Sequence, residues 1–151
     1  MMAFDEIIFA HLQSQLPDYL VASDVANDVA LADKTLLVNV AASEMDANDD
    51  WSSEESPLWA IEISVTLIAD TANIGVCARE AHNAVKALQF KSIIDTESGD
   101  PAVKATVLRV TTSSAFTTFG QTALVGGKQM TQKTGQYSTV IKEAHNGTPR
   151  Y

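Results

Sequence analysis

The sequence predicts an α+β domain: a mostly antiparallel four-stranded sheet with two helices packed on one face. The predicted order is α-β-β-α-β-β, with a long loop or extended arm before the last strand. Three observations predict it. In "LWAIEISVTLIADTANIGVCAREAHNAVKAL" an alternating run passes directly into a helical one. Phe4, Ile8, Leu12 and Leu16 stand four apart ahead of Pro17. Three further β-rich segments are separated from these by turn-forming residues.

Taken in order, residues 4–16 form the first helix. Ile7 joins the four-spaced apolar face, Asp5 and Glu6 suit the positive end of the helix dipole, and Pro17 ends it. Residues 17–34 contain Val21, Val25 and Val29 among Ala, Asn, Asp and Ser, a mixture compatible with a short helix or a loop. "TLLVNVAAS" alternates Leu36, Val38 and Val40 and reads as the first strand.

The second strand is the cleanest. Trp59, Ile61, Ile63, Val65 and Leu67 point one way, and Ala60, Glu62, Ser64 and Thr66 the other, as in a sheet with one covered and one polar face. Asp70 or Thr71 is the expected cap of the second helix. Its apolar stripe is Ile74, Cys77, Ala78, Ala81, Val85 and Leu88, with Arg79, His82, Lys86 and Gln89 on or near the other side. "TESGDPAV" is a turn, "AVKATVLRV" the third strand and "GQYSTVIKEA" the fourth. The 151 residues read as one domain, with 144–151 a flexible tail.

Between the last two strands, residues 111–134 exceed what a tight hairpin needs and carry Phe116, Phe119, Leu124 and Val125. Either the flanking strands extend as an arm, or the segment folds on a partner; the second reading is preferred.

Charge is distributed unevenly. Residues 1–70 hold 14 acids and one base, a net of −13, whereas residues 71–151 hold 5 acids and 9 bases, a net of +4. An acidic chain repels the phosphate backbone, and no segment carries a basic, aromatic-interleaved face, so specific nucleic-acid binding is not expected. Two readings of the asymmetry stand: both signs mix on one surface, or the acidic side of one copy faces the basic side of the next. No apolar run reaches the roughly 18 residues of a membrane span. The acidic Asp5 and Glu6 do not fit a signal peptide, and an intracellular origin is expected.

Motifs for chemistry are near misses. Asp46, Asn48, Asp50 and Ser52 match the opening of a calcium loop, but Trp51 stands where the turn needs Gly and Pro57 where a bidentate Glu is needed. "GGKQ" ends like a phosphate loop, yet Thr122 occupies the first glycine position and Gln129 the metal-binding hydroxyl position. His11, His82 and His145 lie on separate elements and none pairs with the lone Cys77 at ligand spacing. The expectation is a protein without catalytic, metal or cofactor residues.

This layout resembles the tail terminator, or tail completion, proteins of long-tailed bacteriophages, also called minor tail or neck proteins. The residues that carry the likeness are "FDEIIFAHLQSQLP", the strand-to-helix unit above, and "FTTFGQTALVGGKQMTQKTGQYSTVIKEA". The resemblance implies a homohexameric ring at the tail–head junction of a virion, assembled in the host cytoplasm. Such a ring caps the tail tube, stops its polymerisation and meets the head–tail connector or head-closure protein, with a sheath protein a further candidate partner and DNA free to pass through the lumen. The candidate interface residues are Asp46, Asp49, Asp50, Glu54 and Glu55 in the acidic run, Arg79, Lys86 and Lys91 as its basic counterparts, and Phe116, Phe119, Leu124 and Val125. The rival readings are a head-closure or connector neck protein, a tail tube subunit, and a small enzymatic or ligand-binding α+β domain.

Overall fold

The computed structural model describes residues 4–23, 33–45, 58–94, 103–125 and 127–143. Its elements are α1 (Phe4–Gln15), β1 (Leu20–Ser23), β2 (Thr35–Glu44), β3 (Leu58–Asp70), α2 (Ile74–Lys86), β4 (Ser92–Ile94), β5 (Val103–Val107), β6 (Thr111–Val125) and β7 (Lys128–Glu143). The sheet runs β1-β2-β3-β7-β5-β4, with β6 also on β7, and it curls into a half-barrel.

This corrects the expected four-stranded antiparallel sheet. The described residues form seven strands, and β1 pairs with β2 in parallel, Leu20 opposite Thr35 through Ser23 opposite Val38. The physical reason differs by strand. β1 and β4 have four and three residues, too short to show a period. β6 fills the segment read as a loop or arm, because Thr and Ser occupy both alternating sets and its apolar residues do not alternate, although Thr suits a pleated strand. Nor is the hairpin an arm: β3 lines β7 from Lys142 to Met130, so β7 lies inside the sheet for almost its full length.

The other edge of β7 is shared. β5 covers Ile141–Glu143 and β6 covers Lys128–Ser138. Where they meet, the Leu108 N–H donates to the Val140 carbonyl, and the Thr139 hydroxyl donates to the Arg109 carbonyl at 3.0 Å, so the break leaves those groups bonded. β6 slips register against β7 at three places, and such bulges increase local twist, which suits a curled sheet.

At one bulge Phe116 adopts φ 61° and turns its ring into the core over Gly135 of β7. A Cβ on Gly135 would lie 2.8 Å from that ring, so glycine is required there by close approach.

Both helices bury their apolar sides in one cluster. Phe4, Ile8 and Leu12 of α1 and Cys77, Ala81 and Val85 of α2 meet Leu36, Val38, Ile61, Ile63, Val65, Leu67, Tyr137 and Ile141 of the sheet. Each large side chain buried this way contributes roughly 1.5 to 3 kcal/mol. The expected cap of α2 is also corrected. Asn73 occupies the N-cap with no side-chain bond; the Asp70 carboxylate accepts from the Ala72 N–H instead, and the Thr71 hydroxyl pairs with Thr131 at 2.7 Å.

Candidate assembly surface

Polar side chains tie the elements together before any face them outward. His11 of α1 is 3% exposed; its Nε2–H donates to the Ala84 carbonyl of α2 at 2.8 Å, and its Nδ1 accepts from the Lys91 ammonium at 2.9 Å. Burial holds the ring below the usual histidine range; the Ala84 bond opposes that and the Lys91 charge adds to it. His82 Nδ1 meets the Tyr137 hydroxyl at 2.9 Å, and burial pushes that phenol above its ordinary value. The Tyr19 hydroxyl donates to Glu80 at 3.0 Å, and the Lys34 ammonium sits 5.7 Å from the Tyr19 ring centre. Burial first, and then hydrogen bonding to Cys77 and Glu80, raises Tyr19 as well.

The candidate interface residues separate into four groups. Asp46, Asp49, Asp50, Glu54 and Glu55 lie outside the described residues, as do His145 and the calcium-like run that ends at Pro57. Of the bases, Arg79 is exposed on α2, whereas Lys86 donates to the Val110 carbonyl at 2.6 Å and Lys91 to His11, so these two brace the chain itself. Phe116 is core, 2% exposed, and this corrects its place among the surface candidates. Phe119, Leu124 and Val125 fall on β6, opposite Lys133, Gln129 and Lys128. Cys77 is buried, and no group of three or more metal-binding side chains exists among the described residues. Gly127, in the near-miss phosphate sequence, forms the β6–β7 turn with φ 83°.

Two features escaped sequence reasoning. The first is a shallow groove of about 250 Å³ on the sheet face away from the helices, lined by Asn39, Glu62, Ser64, Ser113, Gln136 and Ser138 among others. Its signal was the polar set of the alternating strand, but its neighbours came from distant segments.

The second is the pair of sheet edges. β1 stops opposite Val38, so Asn39–Glu44 of β2 has no strand on its outer side among the described residues. Among the described residues β6 likewise pairs with β7 alone. No helix among the described residues is long and apolar enough to cross a membrane.

No family model and no curated protein matches the chain. Among solved structures, it is similar to a chain from the virion of a native gene transfer agent particle. The identity is 11%, over 89% of this chain and 91% of that one, with a TM-score of 0.47. A likeness at that level decides neither fold nor role.

Proposed function

We propose that this chain is a structural protein of a virion: a ring-forming tail terminator that caps the tail tube, stops its polymerisation and joins the tail to the head connector. It acts by geometry, without catalysis or cofactor. The observation that carries the ring is the pair of open edges. β2 and β7 run one way and β3 and β6 the other, so the four long strands alternate in direction and, among the described residues, leave Asn39–Glu44 of β2 open on one side and β6 on the other. A second copy related by rotation therefore presents its β2 to β6 of the first in antiparallel sense. Repetition closes a ring in which no such edge is left over.

The charge asymmetry supports the same head-to-tail contact, since the half of net −13 in one copy faces the half of net +4 in the next. The chain from the gene transfer agent particle also comes from a virion, at a likeness too loose to bear on the reading. The expected partners are further copies of the chain, the tail tube protein and the head–tail connector or head-closure protein.

Native mass measurement with negative-stain imaging tests the proposal. The expected result is a six-fold ring that captures tail tube subunits in preference to portal-side subunits. A chain that stays single at high concentration, with tube subunits present, overturns it. Preferential capture of portal-side subunits moves the role to the head-closure side of the neck.

A further inference from the structure

Phe90 and Phe116 are the two aromatic residues held at positive φ among the described residues, and only Phe116 is buried. Phe90 sits in the corner between α2 and β4 with φ 63°, a left-handed conformation in which a bulky side chain is unfavourable and glycine or asparagine is the inexpensive choice. Its side chain is 61% exposed, the most exposed large apolar residue among the described residues. The corner itself is well made: the Gln89 N–H donates to Lys86 and the Lys91 N–H to Leu88, each at 3.0 Å. A tight turn therefore needs this backbone, but nothing in the turn needs an aromatic ring.

The position of the corner suggests what the ring is for. Lys86 Nζ donates to the Val110 carbonyl, and Gln89 Oε1 accepts from the Val110 N–H, so the end of α2 is clamped to the residue before β6. Val107 N–H donates to the Lys91 carbonyl. Phe90 therefore stands at the head of the open β6 edge, at the point where β4 ceases to cover β5. In the head-to-tail ring, the neighbour's β2 runs antiparallel along β6 and ends at Glu44, toward that corner. Glu44 is an exposed acid at the end of β2, and Arg109 is exposed at the β5–β6 junction.

We infer that Phe90, with the exposed Arg109 near it, is the anchor by which one copy holds the end of β2 in the next, the neighbour's Glu44 facing Arg109. This rests on the ring reading. An exposed aromatic that does nothing for the single chain is of the kind enriched at protein interfaces.

Sedimentation velocity over a dilution series, at low and high salt, compares the natural chain with Phe90→Gly and Phe90→Asn. Thermal unfolding is followed where each is monomeric. Both variants are expected to melt no lower than the natural chain, since both residues accept the backbone angle, and to associate at least about tenfold more weakly. Association of the natural chain is expected to weaken with salt. A natural ring with variants that assemble equally well overturns the anchor alone, and so does a lower melting temperature in both variants, which makes Phe90 structural. A natural chain that never associates overturns the ring reading and the anchor with it.

Discussion

Replacing Gly135 by alanine adds one methyl group to the middle of β7, a change that ordinarily favours a strand. Glycine costs about 0.5 to 1 kcal/mol in chain entropy, which alanine recovers. Here the new Cβ would stand 2.8 Å from Cε2 and Cζ of Phe116 and 3.1 Å from Cδ2, so the ring must move by about 0.6 Å to reach ordinary contact at 3.4 Å. It has little room to do so. Phe116 is 2% exposed, its backbone is set at φ 61° by the bulge, and the Tyr137 ring centre lies 6.2 Å away. Overpacking of this kind costs about 1 to 3 kcal/mol. After the entropic gain is set against it, Gly135→Ala is expected to destabilise by up to about 2.5 kcal/mol, with a central value of about 1 kcal/mol that lowers the melting temperature by about 2 to 4 °C.

Urea unfolding of Gly135→Ala, Phe116→Ala and the double variant measures the term directly. With the ring removed, the added methyl should be neutral or stabilising, giving a coupling of at least about 1 kcal/mol between the two positions. A Gly135→Ala protein as stable as the natural one, or strictly additive variants, refutes the packing argument.

His11 supplies a pH dependence with a definite sign. Its folded value lies below the ordinary 6.5, so the unfolded chain binds the proton more readily; the contribution is complete above about pH 6.5 and is lost as pH falls, by at most about 1.4 kcal/mol per unit. Urea midpoints from pH 7.5 to 5 should show that loss, and His11→Gln, whose amide can serve both Ala84 and Lys91, should flatten it. Lys86→Met keeps the aliphatic stem but deletes the bond to Val110, and a loss of about 1 to 2 kcal/mol is expected in chemical unfolding. Tyr19 and Tyr137 are both raised by burial, so their tyrosinate absorbance at alkaline pH should emerge only with the unfolding transition; gradual titration in the folded protein would contradict their burial.

What the sequence determined by itself was the part of the fold that local periodicity encodes. Residues 4–16 and the stretch from Trp59 to Leu88 set two helices and the central strand, because an apolar residue every second or every third to fourth position has one way to bury its face. The strands around Leu36, Val107 and Tyr137 were legible for the same reason. Tertiary structure alone decided the parallel β1, the short β4 and the whole of β6, where four residues, three residues and a Thr/Ser-rich run carry no period and are held as strands by the partners they pair with.

The candidate surface divides along the same line. Lys86 and Lys91 look like free cations in the sequence, yet the fold spends both on Val110 and His11, contacts 24 and 80 residues apart along the chain. Phe116 looked like a surface aromatic and is core, because a bulge and a glycine on the adjacent strand make room for it. The open edges, and the exposed Phe90 at the head of one of them, could be found only once the strands were in register. Which backbone groups remain unpaired is a property of the assembled sheet, not of any segment within it.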